Sequence, residues 1–176
     1  MDRKNLPFRK NCEGYFINKE GKILARIHED GYLLFPGGGF DDENPEDALI
    51  REVYEETGAF VDKKLQYLGC LHFIWGKDWA KNNKQKERYN QYQGEEMHFF
   101  FGYVLRLENP KNIEEDFWHG NKFMTIDEAL AFLLENDSPE GLEDYRKLQI
   151  NVLTNLRKQL AQGVKISKIK IEKFIY

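Results

Sequence analysis

The hydrophobic and polar positions of the chain change their period from segment to segment, and these changes predict its secondary structure. Residues 9–18 and 22–28 are predicted strands, and the polar turn between them makes a hairpin. Further strands are predicted over 65–75, 97–107 and 122–125. Because the segment 97–107, MHFFFGYVLRL, is apolar along most of its length, we expect it at the centre of a sheet.

Helical patterns occur in three places. Asn44 can cap a helix that has Pro45 as its first residue, and Gly58 supplies the stop. A second helix is predicted over 125–134 and a third over 138–160. Strands mixed with helices that flank them predict an α/β fold.

Two segments are less regular. The segment 76–96 is polar and long for a loop in a compact domain. It mixes cations with aromatic residues: Trp79, Lys81, Lys84, Lys86, Arg88, Tyr89 and Tyr92. Two interpretations stay open, a lid that stacks a base and contacts phosphates, or a short solvated helix. The tail 163–176 is Lys-rich and β-prone, with one slip in its alternation.

Length and charge limit the function classes. A chain of 176 residues suits one domain spanning 1–176. A net charge of -4 lacks the basic field of a general nucleic-acid binder. No apolar run approaches the roughly 18 residues that span a bilayer, and no signal peptide is recognisable, so we expect a cytoplasmic protein. Cys12 and Cys70 form no metal-binding spacing and are expected to be free thiols.

Three acids stand out in the first predicted helix. Glu52, Glu55 and Glu56 share one face in its C-terminal half, where the helix dipole and their mutual repulsion both disfavour them. Arg51 can reach Glu55 or Glu43, but it cannot face all three acids at once. A hard divalent ion such as Mg²⁺ or Mn²⁺ would offset the charge, whereas the simpler alternative is a solvated acidic face.

The full spacing around these acids favours the metal site. The stretch GGGFDDENPEDALIREVYEETGA, residues 37–59, resembles the Nudix box, G-x5-E-x7-R-E-U-x-E-E-x-G-U with U aliphatic. Every fixed position matches, and Ala59 departs only in being smaller than the usual aliphatic residue. The resemblance implies an α/β/α sandwich around a mixed sheet.

The resemblance also implies roles for individual residues. Arg51 and Glu43 would orient the metal ligands, and Arg26 lies where relatives often have a basic residue that faces phosphates, although an exposed strand arginine is equally compatible. The implied metal ligands are Glu52, Glu55, Glu56, a carbonyl of Gly37 or Gly38, and Glu114 or Glu115.

Members of the family typically hydrolyse a nucleoside diphosphate linked to another moiety. The expected substrate is a nucleotide-like small molecule, and a nucleoside triphosphate, normal or oxidised, is favoured. Trp79 and Tyr89 are the expected contacts to its base. An ADP-ribose or dinucleoside-polyphosphate pyrophosphatase is the main alternative, although neither subfamily signature occurs at positions 75–77. An isopentenyl-diphosphate-isomerase-like enzyme and a non-catalytic nucleotide sensor are less favoured. Neither a membrane nor a nucleic acid is expected as partner, and a homodimer is left open.

Overall fold

The computed structural model describes residues 2–28, 31–40, 42–108, 118, 122–138 and 141–174. Within these ranges the helices are α1 (Pro45–Thr57), α2 (Asn83–Gln91), α3 (Ile126–Glu135) and α4 (Glu143–Ala161). The strands of the same ranges are β1 (Phe8–Ile17), β2 (Ile23–Leu24), β3 (Arg26–Ile27), β4 (Leu33–Leu34), β5 (Gly37–Gly39), β6 (Ala59–Val61), β7 (Gln66–Ile74), β8 (Gly94–Leu107) and β9 (Phe123–Met124).

A parallel pair of long strands forms the centre of the main sheet. β1 runs beside β8 from Phe8, opposite Gly94, to Ile17, opposite Tyr103. The other edge of β8 pairs antiparallel with β7 and β6, and the other edge of β1 pairs antiparallel with β5 and β2. The predicted central position of 97–107 is therefore confirmed, with the strand beginning three residues earlier at Gly94.

Helices cover both faces of this sheet. Successive residues of a strand point to opposite faces, so Phe99 and Phe101 pack with α3 and α4, whereas Phe100 packs with α1. Leu153 of α4 is fully buried in the first core, and Leu49 of α1 is fully buried in the second. The predicted α/β/α arrangement around a mixed sheet is confirmed.

The predicted strand 22–28 is divided in two. β2 completes the expected hairpin, because Ile23 pairs with Ile17 of β1. The chain then leaves the main sheet at Ala25, whose N–H donates to the carbonyl of Lys122. β3 pairs only with β4, in a separate two-stranded sheet of the described residues.

The segment 76–96 contains a helix. A 3-10 turn over Lys77–Trp79 is followed by α2, which begins with a capping box between Asn82 and Gln85. The segment therefore contains a short helix, whereas its role as a lid stays a prediction.

The C-terminal part differs from the prediction at two points. α4 begins at Glu143 instead of near Ser138, after Gly141 has taken a positive φ of 80°. The tail forms no strand in its described part, where a 3-10 turn over Ile166–Lys168 is followed by extended chain. Its apolar residues pack into the core behind β7, so their alternation reflects burial without strand pairing. No described helix combines the length and apolar character needed to cross a membrane.

Candidate active site

The ends of α1 are fixed by the residues that predict them. The Asn44 side chain accepts the N–H of Glu46 at 2.9 Å, Pro45 is the first helical residue, and Gly58 closes the helix at φ 72°. Leu49 and Val53 are buried on the opposite side from the acids. Packing and capping together therefore fix which face of the helix presents the carboxylates.

Arg51 lies among three carboxylates. Its Nη1 donates to Glu52 at 2.8 Å and to Glu55 at 2.9 Å, while its Nη2 donates to Glu43 at 3.0 Å. These contacts, led by Glu43, raise the pKa of the Arg51 guanidinium. Arg51 thus reaches Glu43 and Glu55 at once, which the sequence analysis treated as alternatives, and it also reaches Glu52.

The glycine strand β5 lies directly against the other acids. The N–H of Gly37 donates to Oε2 of Glu56 at 3.1 Å. A Cβ on Gly38 would come within 2.4 Å of the Glu52 carboxyl carbon, so only glycine leaves room for this side chain. The contact of Gly37 is made by its amide, and the Gly38 carbonyl accepts the Cys12 thiol at 3.3 Å. A glycine carbonyl as metal ligand stays a prediction.

A cavity of about 630 Å³ opens beside these acids. Glu52 and Glu56 of α1 form one wall with β5. The remaining lining residues come from β1, from α2 with the residue after it, and from β8: Arg9, Asn11, Lys84, Arg88, Gln91, Tyr92 and Glu95. Its volume is typical of a small-molecule site, whereas its lining is unusually rich in charge.

The predicted aromatic contacts to a base are not at this cavity. Trp79 stacks on Trp75 with ring centroids 3.7 Å apart, and the guanidinium of Arg3 lies 3.3 Å from the centroid of the Tyr89 ring. Neither Trp79 nor Tyr89 is among the described residues that line the cavity. Lys84 and Arg88, four residues apart on α2, share the face that does line it.

The N-terminal segment holds the end of α2 in place. Nη2 of Arg3 donates to the carbonyls of Tyr92 and Gln93 at 3.1 and 3.2 Å. The Gln93 side chain donates in return to the carbonyl of Leu6 at 2.6 Å. A cation at the C-terminal end of a helix also interacts favourably with its dipole. The orientation of α2 thus depends on residues far from it in sequence.

The floor of the cavity supplies a cation that the sequence analysis did not single out. Arg9 pairs with Glu95 at 3.3 Å, and Asn11 donates to the same carboxylate oxygen at 2.7 Å. Burial raises the pKa of Glu95, and Arg9 opposes this shift. The candidate Arg26 instead lies in β3 and is not among the described lining residues. Polar residues at alternate positions of β1 were the available signal for Arg9.

Glu13 continues this polar line beneath the cavity. Its Oε2 accepts the Tyr145 hydroxyl at 2.5 Å, whereas its Oε1 and the Tyr15 hydroxyl are buried without a hydrogen-bond partner among the described residues. Burial raises the pKa of Glu13 to about 7, although the hydrogen bond from Tyr145 opposes the shift. A carboxyl that is neutral at mildly acidic pH therefore lies next to β5, since Glu13 pairs with Gly37.

The donor set at the α1 wall suits a hard cation. Glu52 and Glu56 present carboxylate oxygens to one cavity, and Gly38 leaves space beside Glu52. Glu55 is held by Arg51 in the described arrangement. The candidates Glu114 and Glu115 lie outside the described residues.

Known proteins resemble parts of this chain. An RNA pyrophosphohydrolase of Gluconacetobacter diazotrophicus is 37% identical over 69 residues, which cover 33% of this chain and 41% of that protein. YtkD of Bacillus subtilis, named as a candidate 8-oxo-dGTP diphosphatase, is 49% identical over 59 residues, which cover 33% of this chain and 36% of that protein. These matches span less than half the length of either relative.

The fold and a family model cover more of the chain. The structure of a NUDIX hydrolase from Nitrosomonas europaea superposes with a TM-score of 0.52 at 20% identity, covering 81% of this chain and 90% of the other. A family model described as NUDIX domain matches residues 14–145. Because this family model matches most of its length, the chain belongs to the NUDIX family.

Proposed function

We propose that this chain is a Mg²⁺-dependent pyrophosphohydrolase that cleaves a nucleotide 5′-triphosphate into the monophosphate and pyrophosphate. The observation that carries the proposal is the pairing of two walls in one cavity: Glu52 and Glu56 on α1, and Lys84 and Arg88 on α2. Carboxylates can hold a divalent ion, and cations can hold phosphate oxygens. A polyphosphate needs both kinds of contact.

Each residue of the α1 wall has a separate task. Glu52 and Glu56 would hold Mg²⁺, which when bound neutralises the diphosphate and lowers the pKa of an attacking water. Arg51 positions Glu52 and Glu55 through its two short contacts, and Glu43 fixes Arg51 in turn. The Gly37 amide orients Glu56. Losing any of these contacts should affect the chemical step more than substrate binding.

The α2 wall and the floor would bind the substrate. Lys84 and Arg88 are placed to contact phosphate oxygens, and Arg9 adds a third cation to the lining. Tyr92 is the one aromatic residue among the described lining residues. This composition favours recognition of the phosphate chain over close recognition of a base.

A free nucleoside triphosphate, normal or oxidised, is the substrate we favour. The 5′-triphosphate end of an RNA is the second candidate, because several relatives are named as RNA pyrophosphohydrolases. ADP-ribose and dinucleoside polyphosphates rank lower, since they carry a second nucleoside or sugar for which the described lining offers few apolar contacts.

A substrate panel with Mg²⁺ tests the proposal. Nucleoside triphosphates, 8-oxo-dGTP, a 5′-triphosphorylated RNA oligonucleotide, ADP-ribose and a dinucleoside polyphosphate are compared by the release of pyrophosphate, phosphate and nucleotide products. We expect pyrophosphate from the triphosphates, and loss of this activity when a chelator removes Mg²⁺. A tenfold preference in kcat/KM for ADP-ribose or a dinucleoside polyphosphate would overturn the substrate assignment.

Matched substitutions in one helix test the site itself. Glu56→Gln removes a cavity carboxylate, and we expect kcat to fall at least about 100-fold. Glu46→Gln makes the same chemical change in the first turn of α1, away from the cavity, and should leave kcat within about twofold, or roughly 0.4 kcal/mol. Full activity of a folded Glu56→Gln variant would exclude α1 as the catalytic helix.

A further inference from the structure

We propose that Cys70, Glu96 and His98 form a second metal site, for a transition-metal ion of the Zn²⁺ type, separate from the acids of α1. The sulfur of Cys70, a carboxylate oxygen of Glu96 and a ring nitrogen of His98 all lie within 4.8 Å of one another. All three residues are half-buried, so a metal ion could reach them from solvent.

The pairing of two strands brings these ligands together. Cys70 of β7 lies directly opposite His98 of β8, and His72 lies opposite Glu96. Residues two apart in a strand share a face, so the four side chains occupy one square patch of the sheet. The two strands therefore preorganise the ligands through backbone hydrogen bonds.

The distances are close to those of a coordinated ion. Metal bonds of about 2.1 Å in a tetrahedron place neighbouring ligand atoms about 3.4 Å apart. Nε2 of His98 lies 2.9 Å from Oε1 of Glu96, and the full set lies within 4.8 Å. Small side-chain movements suffice to close the set around one ion.

Two further residues hold the ligands in orientation. Nδ1 of His98 lies 3.4 Å from the Tyr67 hydroxyl, and Nε2 of His72 lies 3.4 Å from the second carboxylate oxygen of Glu96. Metal-binding histidines and carboxylates usually have such outer partners. We assign His72 and Tyr67 this positioning role, which leaves the fourth position of the ion open.

The chemistry of this patch differs from that of the α1 wall. Sulfur and imidazole ligands favour Zn²⁺ and similar ions, whereas carboxylates with water favour Mg²⁺. The patch lies on the sheet face of Phe100, on which α1 also packs, but Cys70, Glu96 and His98 are not among the described residues that line the cavity. One ion should therefore not replace the other.

Ordinary cross-strand pairing is the alternative. Histidine and glutamate on facing strands attract each other without a metal. The two interpretations differ in the state of the Cys70 sulfur. A metal ion would bind this sulfur as a thiolate, whereas cross-strand pairing gives it no ionic role.

The test uses the full chain, first stripped of metals with a chelator. Zn²⁺ is titrated by calorimetry in excess Mg²⁺, which occupies hard oxygen sites, and Co²⁺ serves as a spectroscopic probe of thiolate ligation. The variants are Cys70→Ser and His98→Gln. The controls are His28→Gln, a histidine outside the patch, and Glu56→Gln at the α1 wall. Circular dichroism establishes that each variant is folded.

We expect one Zn²⁺ per chain in excess Mg²⁺, with affinity reduced at least about tenfold in Cys70→Ser and in His98→Gln. The thiolate-to-Co²⁺ absorption should disappear in Cys70→Ser and persist in both controls. Zn²⁺ binding that is absent, that is unchanged in folded Cys70→Ser and His98→Gln, or that is lost in Glu56→Gln would overturn the proposal.

Discussion

The two walls of the cavity are organised in different ways. In α1 the cap, the stop and the acids all lie within one short stretch, and Arg51 holds its partners from the same helix and the loop before it. α2 is capped locally, but its position depends on two residues outside it. Arg3 contacts Tyr89 and Tyr92 at its C-terminal end, and Trp75 stacks on Trp79 in the turn before it. A wall built from local signals can be read from sequence, whereas a wall oriented by distant contacts cannot.

The largest expected effect comes from the crowded contact between β5 and α1. Gly38→Ala places a Cβ within 2.6 Å of Oε2 of Glu52, and the flexible carboxylate must move away. Since a displacement of about 1 Å can cost about 100-fold, we expect kcat to fall by that order with little change in Tm. Steady-state kinetics and thermal unfolding measure the two quantities.

Two other glycines control this experiment. Gly76→Ala meets no atom within 4 Å and should be neutral. Gly37→Ala meets the Cys12 carbonyl at 2.1 Å, which is backbone, so its Tm should fall as well. If Gly38→Ala retains wild-type kcat, the position of Glu52 does not limit the reaction.

The buried carboxyl of Glu13, beneath the cavity, predicts a pH dependence of stability. The folded-state pKa of Glu13, about 7, lies above its ordinary value of 4.5 because the carboxyl is buried. The folded chain thus holds the proton of Glu13 more tightly than the unfolded chain does. The contribution of this proton to the free energy of unfolding is complete below pH 4.5 and is lost as the pH rises through about 7. Glu13→Gln, which stays neutral, should gain stability relative to wild type as the pH rises.

Urea unfolding at about pH 6 and pH 8.5 checks this prediction, with an expected relative gain of about 1.4 kcal/mol. The groups that face Glu13 are Tyr145, Tyr15 and Glu95. Glu143→Gln makes the same substitution at an exposed position and serves as the control. Parallel pH profiles for wild type and Glu13→Gln would show that Glu13 is ionised in the folded protein throughout.

The cationic wall should affect binding more than chemistry. Lys84→Gln or Arg88→Gln removes a charge from the cavity lining. We expect KM to rise about tenfold, or roughly 1.4 kcal/mol, with kcat nearly unchanged. Lys86→Gln, on the exposed face of the same helix, is the matched control. A fall in kcat without a rise in KM would place the α2 wall in the chemical step instead.

The smallest effect is expected at the aromatic residues first considered as base contacts. Trp79 packs on Trp75, and the Tyr89 ring packs under the guanidinium of Arg3. Trp79→Ala and Tyr89→Ala should therefore lower stability while changing kcat/KM by no more than about twofold, or roughly 0.4 kcal/mol. Comparing nucleoside triphosphates with different bases measures any base-specific loss. A tenfold loss that depends on the base would restore the stacking interpretation.

These contrasts show how far the sequence reaches. The bounds of α1 follow from Asn44, Pro45 and Gly58, and the long apolar run around Phe100 predicts the central strand. The position of Arg9 in the cavity lining could not be predicted from the sequence, because this position depends on the pairing of β1 with both β5 and β8. The face of α2 that meets the cavity could not be predicted either, because it depends on Arg3, which lies 89 residues from its partner Tyr92 in the sequence.

The division of labour between the walls can be tested most directly by Mn²⁺ binding. Mn²⁺ replaces Mg²⁺ as a paramagnetic ion whose free concentration is measured by electron paramagnetic resonance. Titrations compare wild type, Glu56→Gln and Arg88→Gln without substrate. We predict that Glu56→Gln lowers Mn²⁺ affinity at least about tenfold, while Arg88→Gln leaves it within about twofold. Wild-type Mn²⁺ affinity in a folded Glu56→Gln variant would contradict the account, because the ion would then bind away from α1.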